Sequence, residues 1–143
     1  MRTEVGIVEW AGRVRDAVAV HRSVADALGR RVGGADIGAR HDLLDRARRH
    51  GWCADEWATV APVLHDVDPG AVLEVLDAAL HQALVDVDRE ADGRAALEAE
   101  ASVADRLVEH YEGWKHEAGP IADAPYRDVV DRVVTELMAG TPA

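Results

Sequence analysis

The sequence predicts an all-α protein: an up-and-down four-helix bundle with a short fifth helix at its C-terminal end. Apolar residues recur at alternating steps of three and four, a spacing that keeps one face of a helix turned towards a partner. Glycine, proline and aspartate residues divide these apolar seams into segments of helical length. We find no alternation typical of a β-strand between turn residues. The 143 residues are therefore predicted to form a single helical-bundle domain, residues 1–143.

The first two predicted helices form a hairpin. The first extends from Glu4, capped by Thr3, to Val32, where two glycines end it with Arg30 and Arg31 in its last turn. Its apolar seam consists of Ile7, Ala11, Val14, Val18, Ala25, Leu28 and Val32. The second helix starts after Asp36 and continues through Trp57 until Pro62. Its seam consists of Leu43, Ala47, Ala54, Trp57, Ala61 and Leu64.

The remaining three helices are also delimited by cap and breaker residues. Asp68 and Pro69 supply a cap and a first-turn proline for the third helix. Asp92 and Gly93 separate it from the fourth, and Asp123 is predicted to cap the fifth. The apolar faces are Leu73, Leu76, Leu80, Ala83 and Val87 in the third helix; Ala96, Val103, Leu107, Tyr111, Trp114 and Ala118 in the fourth; and Tyr126, Val129, Val130, Val133 and Leu137 in the fifth.

Three ionisable residues fall on these apolar faces. His21 and His50 interrupt the first two seams, and Glu100 lies on the face of the fourth helix. Cys53 follows His50 by one helical turn. A buried polar group is costly unless it is hydrogen-bonded. We therefore predict a polar cluster or ligand-binding spot in the bundle core, made of His21, His50, Cys53 and Glu100.

Two interpretations of this polar spot are open. A hydrogen-bonded cluster needs no metal, and on this interpretation no cofactor is expected. Alternatively, iron is possible, because two histidines and a carboxylate (His21, His50 and Glu100) match the composition of a non-haem iron site. A di-iron bundle places Glu-x-x-His on two helices, and the sequence contains no Glu-x-x-His. The thiol of Cys53 beside His50 could be an activated nucleophile, although a thiol at this position is more typical of inert packing.

The charge distribution limits the partners. The net charge of −11 repels phosphate, so nucleic acid and anionic membranes are not expected as partners. Arg46, Arg48 and Arg49 form a basic cluster. Asp42 and Asp45 lie four residues before Arg46 and Arg49, which favours a solvated, ion-paired helix face.

No apolar segment approaches the roughly 18 residues of a membrane span. The N-terminus lacks the apolar core of a signal peptide. The single cysteine excludes an intramolecular disulfide and a cysteine-rich zinc site. We therefore expect a cytoplasmic protein.

Trp52 is predicted to lie opposite the apolar face of the second helix, between Asp45, Arg49 and Glu56. Tryptophan is enriched at interface hot spots. Either the fifth helix covers it or a second subunit does. For the second option we predict a homodimer with a two-fold contact through the second helix, because symmetric dimers are the commonest oligomers.

The segment His50-Gly51-Trp52-Cys53-Ala54-Asp55-Glu56-Trp57 resembles a motif of small ferritin-like proteins from high-GC bacteria, in which it has the form His-Ala-Trp-His-Ala-Glu-x-Trp. Ala122-Asp123-Ala124-Pro125 and His21-Arg22 also resemble parts of that group. The resemblance implies a ferritin-like bundle of unassigned activity. It aligns Cys53 with a histidine and Asp55 with a glutamate of the group, so any metal binding in relatives need not extend to this chain.

Together these features predict a small cytoplasmic ferritin-like bundle that lacks the standard di-iron ligands and acts as a small-molecule or protein binding module. The alternative is a metal-dependent, non-haem iron-like oxidoreductase that uses the inward His21, His50 and Glu100.

Overall fold

The computed structural model describes residues 6–61, 78–90 and 92–139. All the regular structure in these ranges is helical, as predicted. The five α-helices are α1 (Ile7–Gly29), α2 (Ile37–Ala58), α3 (Ala78–Arg89), α4 (Gly93–Glu117) and α5 (Ala124–Ala139), and a 3₁₀ turn spans Val32–Gly34. The predicted Thr3 cap, Pro62, Leu64 and the Asp68–Leu76 start of the third helix lie outside the described residues.

The helices pack as two hairpins with α5 on one side. α1 packs mainly against α2, and α3 against α4, while α5 contacts α2 and α4. Arg30 at the end of α1 bonds Asp88 near the end of α3 at 2.6 Å. Arg13 near the start of α1 bonds Glu117 at the end of α4 at 2.5 Å. The four main helices therefore alternate in direction, as in an up-and-down bundle.

α1 is shorter than predicted, because it ends at Gly29 rather than at Val32. The guanidinium of Arg31 donates to the backbone carbonyl of Ala27, the oxygen that the Arg31 amide would use in a continuing helix. The amide of Arg31 bonds the carbonyl of Leu28 instead, at 3.1 Å. The same guanidinium also donates to the carbonyls of Asp88 and Glu90. This side chain therefore joins the ends of α1 and α3.

The buried face of α1 is rotated relative to the predicted seam. Ile7, predicted to be buried, is 53% exposed. The buried apolar residues are Trp10, Val14, Ala17, Val20, Val24, Ala27 and Leu28. The predicted seam and the observed buried face share Val14, His21 and Leu28, which follow one another at intervals of seven residues. The structure places Trp10 inside because the large aromatic ring removes more apolar surface from water than Ala11 would.

The other predicted faces are largely confirmed. The core positions predicted for α4 and α5 are all buried, as are Leu80, Ala83 and Val87 of α3. In α2, Ala47 is half-buried and Ala61 lies exposed beyond the helix end. No helix in the described part of the chain is long and apolar enough to cross a membrane.

Aspartate side chains cap the starts of two helices and close the loop before a third. Asp36 caps α2 by accepting a hydrogen bond from the Ala39 amide at 2.8 Å. Asp92 caps α4 through the Arg94 amide at 3.1 Å. The Asp123 carboxylate, predicted to cap α5, accepts from the Gly119 amide at 2.7 Å and so closes the loop before that helix.

One end of the bundle is filled by aromatic rings. Tyr111 lies 5.2 Å from Trp57 and 5.1 Å from Trp114 between ring centroids. Trp114 is 6.4 Å from Trp10, which stacks on Tyr126 at 4.4 Å. We call these five residues the aromatic cluster. It joins α1, α2, α4 and α5 into one core.

Candidate functional site

A continuous chain of hydrogen bonds crosses the middle of the bundle. The hydroxyl of Tyr111 lies 2.8 Å from Nε2 of His21. Nδ1 of His21 lies 2.9 Å from Nδ1 of His50, and Nε2 of His50 lies 2.8 Å from Oε1 of Glu100. Three helices supply these side chains: α1 carries His21, α2 carries His50, and α4 carries the other two. The predicted inward placement of both histidines and Glu100 is thereby confirmed.

Arg46 ends this chain near the surface. Its guanidinium donates to Oε2 of Glu100 at 2.9 Å, and its side chain is 22% exposed. The carboxylate itself is 1% exposed. Arg46 was predicted only as part of a solvated, ion-paired face. The structure turns its charged group inwards, because an ionised carboxylate in the core needs a compensating charge. We call Tyr111, His21, His50, Glu100 and Arg46 the polar chain.

With both imidazoles neutral, a single arrangement of protons satisfies every polar atom of the polar chain. Glu100 is ionised beside Arg46 and accepts only, so His50 donates from Nε2. Nδ1 of His50 then accepts from Nδ1–H of His21. Nε2 of His21 is left as an acceptor for the hydroxyl of Tyr111. The hydrogen bonds therefore all point from the tyrosine towards the carboxylate.

Burial shifts the pKa values of the two neighbours at one end of the polar chain, His21 and Tyr111, in opposite directions. Burial, and next the charge of His50, lower the pKa of His21 well below 6.5, which keeps its ring neutral at pH 7. Burial, followed by the nearby Cys53, raises the pKa of the Tyr111 phenol well above 10. At neutral pH the phenol therefore holds its proton beside a neutral imidazole.

Cys53 lies beside the polar chain and is fully buried. Burial raises the pKa of its thiol to about 12, and the carboxylates of Glu136 and Glu56 act in the same direction against the opposing charge of Arg49. A thiolate is the nucleophilic form. The thiol therefore stays protonated at neutral pH, as the inert-packing interpretation expects.

The candidate metal ligands lie in a row and do not converge on one point. His50 uses one ring nitrogen towards His21 and the other towards Glu100. A single ion bound to both Nδ1 atoms would therefore lie on the opposite side of the His50 ring from Glu100. Among the residues that the structure describes, no group of three or more His, Cys, Asp or Glu side chains could hold a metal ion.

Trp52 lies on the outer face of α2 and is 39% exposed. It lines a surface cleft of about 350 Å³ together with Asp45, Arg48, Arg49 and Glu136. Arg49 lies 3.4 Å from Glu136, so α5 runs alongside this surface. α5 therefore flanks Trp52 without covering it completely.

The sequence interpretation missed two members of the polar chain, Tyr111 and Arg46. Tyr111 was assigned to the apolar face of the fourth helix, where its ring indeed lies. Its hydroxyl was the available signal, because a buried phenol usually finds a hydrogen-bond partner. Arg46 lies four residues before His50 on the same helix, a spacing that brings side chains together.

Comparisons with protein-family models, curated proteins and solved structures find no match for this chain. The resemblance to ferritin-like proteins therefore stays a prediction.

Proposed function

We propose that this protein is a binding module that works through its surface, with its second helix as the contact face. The observation that supports this proposal is the closed state of the polar chain. Both ring nitrogens of each histidine and both oxygens of Glu100 have partners. His21 and His50 are fully buried, so a ligand or substrate would have to break this network to reach them.

The outer face of α2 offers a contact surface with internal symmetry. Ile37 is 85% exposed, and Leu44 and Trp52 are each 39% exposed. These residues are seven and eight positions apart, so they share one side of the helix. If two copies of α2 pack antiparallel about a two-fold axis at Leu44, each Ile37 lies opposite the Trp52 of the other copy. The surface is self-complementary, as an isologous dimer requires.

The charges around Trp52 are compatible with a second copy of this chain as the partner. Asp45 and Glu136 supply negative charge, and Arg48 and Arg49 supply positive charge, around the cleft. A surface that carries both signs avoids the strong repulsion that a uniformly charged face would meet in a second copy. A strongly cationic partner would instead be drawn to the protein as a whole, because the net charge is −11. We therefore propose a second copy of this chain as the occupant.

Light scattering at several protein concentrations tests this proposal. We expect the wild-type chain to be a dimer and Trp52→Ala to be a monomer with an unchanged helical circular-dichroism signal. Ile121→Ala is the matched control, because Ile121 is 87% exposed but lies outside α2, and this variant should remain dimeric. A wild-type chain that stays monomeric at high concentration would rule out the dimer.

The runner-up is a metal-dependent oxidoreductase that uses His21 and His50, with Glu100 as ligand or as support. One observation favours it: each Nδ1 faces the other histidine while each Nε2 is held by a partner. Metal-binding histidines characteristically donate their second nitrogen to a carboxylate or another acceptor. Metal analysis of protein purified without chelators distinguishes the two functions. We expect substoichiometric iron, zinc and manganese and no thermal shift with a chelator, whereas stoichiometric metal lost in His21→Ala would favour the oxidoreductase.

The ferritin-like assignment also remains a proposal. The inward histidines and glutamate from facing helices support it, since bundles of that class build their sites from such side chains. The alternating helix directions weigh against it, because ferritin-like bundles contain one long crossover connection.

A further inference from the structure

Tyr111 belongs both to the polar chain and to the aromatic cluster. Its hydroxyl bonds His21 at 2.8 Å, while its ring lies between Trp57 and Trp114. The chain has four tryptophans and two tyrosines in all, and five of these six residues form the aromatic cluster. The hydrogen bonds of the polar chain, along which a proton can move, and a row of oxidisable rings therefore meet at this phenol.

We propose that Tyr111 is a redox-active tyrosine, which gives one electron through the aromatic cluster to a one-electron oxidant at the surface while its proton moves to His21. The partner is a high-potential, outer-sphere one-electron acceptor. The neighbouring tryptophans would carry the oxidising equivalent in short steps between rings. The outer end of this route is Trp114, which lies 5.1 Å from Tyr111 between ring centroids and is 6% exposed, so that Tyr126 is not one of its steps.

The step balances within the polar chain. One electron leaves the phenol and reduces the oxidant by one unit, and the O–H bond of Tyr111 breaks. That proton forms a bond to Nε2 of His21, and the Nδ1 proton of His21 passes to Nδ1 of His50. The products are a neutral tyrosyl radical, a neutral His21 with its proton on the other nitrogen, and a protonated His50. No atom leaves the protein.

The surroundings of His50 suit this outcome. The imidazolium that forms donates from Nε2 to Glu100, and Arg46 holds the other carboxylate oxygen. An ion pair with this carboxylate replaces a hydrogen bond from a neutral imidazole at the moment the positive charge arrives. Oxidation of a phenol without an acceptor for its proton would instead leave a cation in a low-dielectric core, which is costly.

Burial of the phenol favours a long-lived radical. Tyr111 is fully buried, so water and dissolved reductants reach it only when the bundle opens. Tyr126 provides the internal comparison, because it belongs to the same aromatic cluster but lies near the surface beside Asp123. The two tyrosines of the chain thus differ in burial and in the proton acceptor next to them.

Flash photolysis with a photogenerated ruthenium(III) tris-bipyridine complex as oxidant tests the inference. Radicals are followed by transient absorption and electron paramagnetic resonance in Tyr111→Phe and Tyr126→Phe, each of which keeps one tyrosine. We expect the wild-type chain and Tyr126→Phe to give the same long-lived tyrosyl signal. Tyr111→Phe should give a lower yield and a faster decay, roughly tenfold each, which corresponds to a barrier change of about 1.4 kcal/mol.

The role of His21 is tested by the proton that it receives. In D₂O the wild-type tyrosyl signal should form more slowly, and His21→Leu should lower its yield roughly tenfold. If His21→Leu does not fold, the isotope effect in the wild-type chain still tests this step. A tyrosyl signal that survives in Tyr111→Phe and disappears in Tyr126→Phe, or a formation rate equal in H₂O and D₂O, would overturn the inference. The oligomeric state has no bearing on these outcomes, so they are independent of the proposed function.

Discussion

The two faces of α2 differ in how far their side chains are open to a partner. On the inner face, His50 is fully buried and both its ring nitrogens are bonded. Two residues further on, Trp52 lies 39% exposed on the outer face beside Arg48 and Arg49. A closed polar network fixes how helices fit together, whereas a partly exposed aromatic residue remains available to a partner. The difference indicates that one helix both orders the core and presents the contact surface.

The largest effect should come from the carboxylate in the polar chain. Glu100→Leu removes the acceptor for both His50 and Arg46 and leaves buried donors without a partner. Breaking a buried pair in this way costs about 3–5 kcal/mol. We expect this loss in the free energy of unfolding measured with urea. The control is Glu98→Leu at an exposed position of the same helix, which should change the free energy of unfolding by less than about 0.5 kcal/mol. Equal losses in the two variants would show that the buried hydrogen bonds of Glu100 contribute no more than a surface residue.

The next largest effect is expected for His50→Leu. It leaves Nδ1 of His21 and Oε1 of Glu100 unpaired, and since each stranded group costs about 1–3 kcal/mol, we expect a total loss of at least about 2 kcal/mol. The double variant His21→Leu/His50→Leu should lose less than the sum of the two single variants, because the residues share one network. The control is His41→Leu on the exposed side of α2. Additive losses in the double variant would contradict direct coupling between the histidines.

Acidification should weaken the inner face. The pKa of His21 in the folded protein is lowered below its ordinary value of 6.5 by burial, so below pH 6.5 the unfolded chain binds a proton that the folded chain does not. Stability from this residue is complete above pH 6.5. It is then lost by up to about 1.4 kcal/mol per pH unit as the pH falls towards the folded pKa.

Urea unfolding at a series of pH values measures this slope. His21→Gln has no ring to titrate, so its stability should fall less steeply over the same range. Identical slopes in the two proteins would show that the His21 ring does not resist protonation in the folded state.

The smallest effect on folding should come from the outer face. Trp52→Ala should change the free energy of unfolding of a single chain by less than about 0.5 kcal/mol, because most surface substitutions have effects no larger than this. The unfolding midpoint of the wild-type chain should rise with protein concentration, as expected for a dimer. The midpoint of Trp52→Ala should not depend on concentration. Concentration dependence in both proteins would place the contact elsewhere.

The helices and the inward positions of His21, His50 and Glu100 could be predicted because they follow from periodicity. His21, His50 and Glu100 each interrupt an apolar face, and an α-helix carries every residue of such a face into the core. The rotation of α1 could not be resolved in the same way. Ala17 and Val18 are both apolar, as are Val24 and Ala25, so either residue of each pair could face inwards.

The extent of the polar chain depends on side-chain reach, which periodicity does not report. Arg46 has a long side chain that can lie along the protein while its charged end turns towards a partner. A helical wheel assigned it to the surface. Tyr111 was placed correctly as a ring, but the wheel contains no information about where its hydroxyl points. Both additions required the relative positions of α1, α2 and α4.

The guanidinium of Arg31 has a consequence for the electrostatics of the whole bundle. Because α1 and α3 run in the same direction, their carbonyl ends lie side by side. Each helix end carries the equivalent of about half a negative charge from its aligned peptide dipoles. The guanidinium of Arg31 donates to the backbone carbonyls of Ala27 in α1 and of Asp88 and Glu90 at the end of α3. This guanidinium thus brings positive charge to the carbonyl ends of two parallel helices, which is the sign that both macrodipoles favour there.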